Sequence, residues 1–214
     1  MSPSTPSPEA GLIDLQVNGF AGVDFQQDDI PLPALEHAMR ALRRHRTSRI
    51  LYTLITARID TLCRRLAYIE SLRARSPLLR EMIAGYHLEG PWLSPEPGYH
   101  GAHNPTFMTP ARIPDAARLI DASAGNIRLV TIAPESDGAD ALTAHLVSRG
   151  VCVSAGHCNA SEDDIDRAIS AGLTLCTHLG NAVPALLHRH DNVVQRLLAR
   201  DELTAVFIPD GIHL

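Results

Sequence analysis

Seven short apolar runs punctuate the chain: Gly11–Val17, Arg49–Thr56, Met82–His87, Ile127–Ile132, Val151–Ala155, Leu173–Cys176 and Leu203–Ile208. They are rich in Val, Ile, Leu and Thr and too short for helices. Several are apolar on both faces, which predicts strands of a parallel sheet covered by helices. Between them the spacing changes. Leu35–Leu42 and Ile59–Leu72 carry apolar residues three and four apart, as amphipathic helices do. Ser161–Ala171 is the cleanest helix: Ser161 is a natural N-cap, Asp164 follows three residues on, and Gly172 closes it. Strand, helix and strand at this pitch predict right-handed βαβ units. Trp92–Asn104 breaks the rhythm, with Pro91, Pro95, Pro97, Gly98, Gly101 and Pro105 in or beside it. A long loop after a strand end in a tight α/β unit is usually functional.

Composition narrows the function classes. The 214 residues are 45% hydrophobic and 20% charged, with a formal net charge of −5. That is ordinary globular composition, and it points to neither nucleic acid nor an acidic membrane surface as a partner. No apolar stretch approaches the roughly 20 residues of a membrane span. Residues 1–10 lack the basic start and apolar core of a secretory signal and read as a disordered leader. Residues 11–214 then form one domain. Of the four cysteines, Cys152 and Cys176 lie in apolar runs and read as small buried hydrophobes. Cys158 follows His157 directly and is a weak candidate ligand. A cytoplasmic location is expected.

The polar clusters that end the runs carry the chemistry. Four of them read His-Leu-Glu-Gly-Pro, Gly-His-Cys-Asn-Ala, Thr-His-Leu-Gly-Asn-Ala and Asp-Gly-Ile-His. Parallel strands bring their last residues to one rim, so Glu89, His157 and His178 meet there. One carboxylate and two imidazoles make a three-ligand set for a zinc-type ion with a position left open. Taken singly, Glu89 reads as a turn or capping carboxylate and each histidine as a structural residue; recurrence at successive strand ends favours the metal.

Six segments resemble the N-acetylglucosamine-6-phosphate deacetylase family of the amidohydrolase superfamily. They are Ile13–Gly19, His87–Pro91, Gly101–Asn104, Gly156–Ala160, Thr177–Ala182 and Asp210–His213, in the family's order and spacing. The resemblance implies an α/β fold, a TIM-type (β/α)8 barrel of the amidohydrolase kind, with seven of its eight strands in this numbering. It implies a metal-dependent hydrolase that converts N-acetylglucosamine-6-phosphate to glucosamine-6-phosphate and acetate, and a homodimer. By it, Glu89, His157 and His178 hold one divalent ion, zinc first, with iron, manganese or cobalt as alternatives. His103 helps polarise the acetamide carbonyl. Ala102, His103, Asn181, Ala182, Arg189, Asp210, Gly211, Ile212 and His213 match substrate-contacting positions. Arg189, between His188 and His190, suits a phosphate because guanidinium presents a fork of donors; its plain alternative is a solvated basic face. Where other superfamily members carry a His-x-His pair, this chain has Gln16 and Asn18, so one metal is expected.

Some features depart from the family pattern. Its general-base aspartate ends the eighth strand, beyond the position of His213, and its small β-domain is also missing from this numbering. Gly180 stands where an aromatic residue is common and Val183 where methionine is common. General acid–base catalysis contributes about 10²–10⁴-fold. The expectation is therefore that metal occupancy and turnover separate in these 214 residues. The competing readings are a piece of a longer enzyme, a non-catalytic sugar-phosphate or metal-binding homologue, and an amidohydrolase acting on another amide.

Overall fold

The computed structural model describes residues 11–213, so the leader expected at residues 1–10 lies outside the described part. In chain order the elements are β1 (Leu12–Val17), β2 (Gly19–Phe20), β3 (Val23–Asp24), α1 (Leu32–Arg44), β4 (Thr47–Ile55), α2 (Ile59–Arg75), α3 (Pro77–Met82) and β5 (Ile83–Glu89). There follow α4 (Ile113–Ala122), β6 (Ile127–Ile132), α5 (Ala139–Ser148), β7 (Cys152–Ala155), α6 (Glu162–Ser170), β8 (Leu175–Cys176), α7 (Val193–Leu198) and β9 (Thr204–Ala205).

Every predicted run contributes a strand to one seven-stranded sheet in the order β1-β4-β5-β6-β7-β8-β9. All six pairings are parallel. The β2–β3 hairpin is a separate antiparallel pair that the apolar pattern did not announce. Helices cover the outer face through the stripes their spacing predicts: Leu35, Ala38, Met39 and Leu42 on α1, and Leu62, Leu66, Ile69 and Leu72 on α2 are buried. Before α6, Ser161 and Asp164 form the expected reciprocal capping box, and Gly172 beyond its end adopts φ +107°. One cysteine differs from expectation: Cys152, at the first position of β7, is exposed, while Cys158 and Cys176 are buried.

The inner face of the sheet is polar. Thr53, His87, Thr131 and Ser154 are fully buried there and Thr177 is 5% exposed. His87 on β5 reaches the Leu15 carbonyl on β1 across β4, at 3.1 Å. Thr131 on β6 meets Thr177, next to β8, across β7, at 2.7 Å. Links that skip a strand require a concave side, so the sheet is curled. It is also open: among the described residues, β1 and β9 each pair on one side only. Leu12, Ile13 and Leu15 of β1 face Val206–Pro209 across a cleft of about 640 Å³. Leu12 and Ile13 are 67% and 59% exposed, an unusual state for strand residues of this type. No helix of the described residues is long and apolar enough to cross a membrane.

Candidate metal centre

Glu89 is the last residue of β5, and His157 and His178 each stand two residues past the ends of β7 and β8. Their ligand-type atoms lie within 4.8 Å of one another, and all three residues are buried. His157 Nε2 is 3.1 Å and His178 Nε2 2.9 Å from the same oxygen, Glu89 Oε1. Burial alone would push the Glu89 carboxyl up. Imidazole protons donated by His103, His157 and His178, positive charge at the place a bound cation would take, outweigh it and hold the group well below the ordinary carboxylate range.

The hydrogen bonds test whether the set suits a cation. The Tyr99 carbonyl lies 3.0 Å from His157 Nδ1 and can only accept, so that nitrogen carries the proton. In the neutral ring, Nε2 then turns a lone pair toward Glu89 Oε1, and two acceptors at 3.1 Å repel unless a positive charge lies between them. His178 adds a second imidazole nitrogen to that oxygen, and its own Nδ1 is buried without a partner among the described residues. Donors of this type, converging on a point and lacking compensating positive charge, fit a divalent ion.

The surrounding backbone is shaped to hold the imidazoles. His157 and His178 sit at φ +51° and +31°, left-handed values that cost roughly 1 kcal/mol or more for a residue with a side chain. The Ser94 N–H donates to the His157 carbonyl at 2.9 Å, and the Asn181 N–H to that of His178 at 2.9 Å. Gly101, at φ +57°, lies so close that a Cβ there would stand 3.0 Å from His157 Cε1. The loop expected at Trp92–Asn104 thus forms the outer wall of the centre, supplying Ser94, Tyr99, Gly101 and His103. The half-buried carboxylate of Glu135 accepts the N–H of Asn159, two residues beyond His157, at 2.6 Å.

His103 joins this cluster. Its ring lies 4.3 Å from that of His157, its Nε2 is 3.5 Å from Glu89 Oε2, and its Nδ1 meets the Thr56 hydroxyl at 2.9 Å. Gln16 is a donor here: its amide reaches Glu89 Oε1 at 2.9 Å. Ala182 approaches from the other side, its Cβ 3.7 Å from where a Gly101 Cβ would be, and Asn181 donates to the His178 carbonyl at 3.2 Å. Ala102 is exposed beside His103.

The remaining expected substrate contacts are not gathered with this cluster. Arg189 is exposed on the loop before α7. Asp210, Gly211, Ile212 and His213 form a self-contained exposed turn in which Asp210 accepts from the Ile212 and His213 N–H groups at 2.9 and 2.8 Å. Those bonds, with the His213 ring, lower the Asp210 carboxyl to about 2.

Sequence reasoning missed the buried layer of His87, Thr131, Ser154 and Thr177 beneath the rim. Its signal was a polar residue at alternate positions of otherwise apolar strands, which places each on the inner face.

No family model matches the chain. Over 95% of its length it is 31% identical to N-acetylglucosamine-6-phosphate deacetylase of Bacillus subtilis, of which it covers 51%. It is 33% identical over 96% of its length to N-acetylgalactosamine-6-phosphate deacetylase of a Shewanella strain, covering 50% of that protein. Among solved structures it matches a variant of N-acetyl-D-glucosamine-6-phosphate deacetylase from Mycobacterium smegmatis in complex with N-acetyl-D-glucosamine-6-phosphate. The TM-score is 0.83 at 35% identity, covering 96% of this chain and 51% of that one. The chain thus spans about half the length of the curated relatives it matches.

A curled parallel sheet whose strand ends gather a carboxylate and imidazoles is the arrangement that the resemblance to the amidohydrolase superfamily leads one to expect. Over the half of those proteins that it spans, the chain is similar to the N-acetylglucosamine-6-phosphate deacetylases in both sequence and fold.

Proposed function

We propose that this chain carries the metal-binding machinery, and part of the sugar-binding machinery, of a hydrolase that deacetylates N-acetylglucosamine-6-phosphate to glucosamine-6-phosphate and acetate. The observation that carries this reading is the convergence of His157 and His178 Nε2 on Glu89 Oε1, with the His157 proton committed to Tyr99 on the far nitrogen. Glu89, His157 and His178 would hold one divalent ion, with zinc the best match to the nitrogen and oxygen donors and iron, manganese or cobalt also accommodated. Such an ion supplies Lewis acidity and activates water near neutral pH. Gln16 steadies the Glu89 carboxylate through its amide N–H. His103, protonated on Nε2, donates to the acetamide carbonyl and stabilises the charge that develops on it. Ala102, Asn181 and Ala182 border the sugar, Arg189 takes the 6-phosphate, and Asp210–His213 close the far side.

The closed (β/α)8 barrel belongs to the same proposal. The cleft between β1 and the segment after β9 is flanked by two edges unpaired among the described residues, an arrangement that an eighth parallel strand would close. The family resemblance places the general-base aspartate at the end of that strand. Four free thiols suit a reducing, cytoplasmic compartment. N-acetylgalactosamine-6-phosphate is the second candidate substrate, motivated by the similarity to a deacetylase of that name.

Calorimetry with zinc, followed by titration with both phosphorylated sugars and with N-acetylglucosamine, tests the proposal alongside an assay of acetate release. The expected result is one divalent ion per chain, lost in His178→Ala, and tighter binding of the phosphorylated sugars. Failure to bind any of zinc, iron, manganese or cobalt, or equal affinity for N-acetylglucosamine with and without phosphate, would overturn it.

A further inference from the structure

The buried polar layer under the rim has one arrangement of protons. The Leu15 carbonyl can only accept, so His87 Nδ1 carries the proton and donates to it at 3.1 Å. The ring is fully buried and neutral, which leaves His87 Nε2 an acceptor for the Thr131 hydroxyl at 2.7 Å. Thr131 has then used its only proton, so it accepts from Thr177 at 2.7 Å, and Thr177 in turn accepts from Ser154 at 2.6 Å. The result is a one-way chain, Ser154 to Thr177 to Thr131 to His87 to the Leu15 carbonyl, drawing on β7, β6, β5 and β1 and on the residue that follows β8.

Its members adjoin the three proposed ligands. His87 precedes Glu89 by two residues on the same face of β5. Thr177 is the neighbour of His178, and Ser154 lies on the strand that leads into His157. The chain also crosses from β5 to β1, whose Gln16 donates to Glu89 Oε1. Gly156 packs against it as well, since a Cβ there would stand 2.7 Å from Thr131 Cγ2.

We infer that this hydroxyl–imidazole chain is a positioning device for the metal centre, with Thr131 as its central positioning residue. It fixes the relative height and facing of the strand ends that carry Glu89, His157 and His178. The inference rests on the metal-centre reading above. A layer of aliphatic side chains would fill the same space, but beyond the backbone ladder it would add no directional constraint on the small offsets that metal coordination does not tolerate. A chain in which each hydroxyl proton is committed to one acceptor admits a single register.

Two substitutions at one position separate the hydrogen bond from packing. Thr131→Val keeps the shape and removes the hydroxyl; Thr131→Ser keeps the hydroxyl and removes the methyl. Zinc affinity, measured by competition with a chromophoric chelator, should fall about tenfold in Thr131→Val and return in Thr131→Ser. The ¹⁵N shifts of His87 in the unmutated protein should show the Nδ1–H tautomer, and Thr131→Val should disturb them. If Thr131→Val does not fold, Ser154→Ala removes only the terminal donor, and about a threefold loss of zinc affinity is expected. Zinc affinity unchanged in the folded variant, a loss of stability with no loss of affinity, or an Nε2–H tautomer in the unmutated protein would each overturn the inference. An unmutated protein that ignores zinc while showing the Nδ1–H tautomer would instead overturn the metal-centre reading.

Discussion

The proposed metal side of the site and its proposed sugar-phosphate side are built by different means. Glu89, His157 and His178 stand at or just past strand ends and are between 2% and 7% exposed; Gln16 and Ser94 donate hydrogen bonds to Glu89 and His157, and the Tyr99 carbonyl accepts one from His157. Arg189 and Asp210–His213 lie on exposed loops beyond the two shortest strands of the sheet, β8 and β9, and bond mainly to near neighbours in sequence. A long parallel strand locks the position of its last residue through ladder bonds on both sides, as β5 does with β4 and β6. A two-residue strand at an open edge offers little such leverage. The cluster proposed to hold the metal is therefore organised without a ligand, whereas the residues proposed for the phosphate take their geometry from less constrained loops.

The largest expected effect attacks the organised side. Glu89→Ala should weaken zinc binding by more than about a thousandfold, because loss of a supporting residue alone typically costs about 10–100-fold. Isothermal titration would decide it, and near-normal affinity would mean that the ion, if bound, sits elsewhere.

A pH dependence comes next. Burial lowers His87 from its ordinary 6.5 to about 4. Between those values the unfolded chain binds a proton that the native chain refuses. The stability contribution is thus fully present above pH 6.5 and declines as pH falls toward 4, by up to about 3 kcal/mol. Urea unfolding of the metal-free protein across this window should show the slope, and His87→Gln should flatten it. A flat profile in the unmutated protein would mean that His87 is not held neutral.

On the exposed side, Arg189→Ala should leave the urea midpoint unchanged and reduce binding of N-acetylglucosamine-6-phosphate about tenfold, while sparing N-acetylglucosamine. Equal losses for the two sugars would remove Arg189 from the phosphate site. The smallest effect sharpens the boundary between the two sides. Gly101→Ala combines left-handed strain with crowding of the His157 ring and should cost about 1–2 kcal/mol of stability together with some zinc affinity. Comparison with Gly180→Ala, where φ is +90° but the space is open, separates strain from crowding.

How far the sequence was legible follows the same division. The strands and the α6 cap were readable because they depend on local patterns: apolar runs four to eight residues long, and a Ser three residues before an Asp. The β2–β3 hairpin was not, since its strands have two residues each and no apolar alternation. Cys152 was misplaced because an apolar run does not say which of its residues begins the strand on the uncovered side. The company of Glu89, His157 and His178 was expected from strand-end placement. Gln16 as a donor to Glu89, Tyr99 as the acceptor that sets the His157 tautomer, and the hydroxyl chain under the rim depend on contacts between residues 23 to 73 positions apart, which no local pattern encodes.

By itself, the sequence determined a parallel α/β architecture, the position of its strand ends and a carboxylate-plus-imidazole chemistry at one rim. It could do so because hydrophobic periodicity and residue type act locally and parallel strands share a direction. Only the tertiary structure decided which atoms face one another: that two imidazole nitrogens address a single carboxylate oxygen, that a loop carbonyl fixes the tautomer of His157, and that β1 and β9 leave a cleft between them. Those outcomes follow from the curl of the sheet and the close packing of distant segments, where a displacement of an ångström changes a hydrogen bond into a clash or a gap.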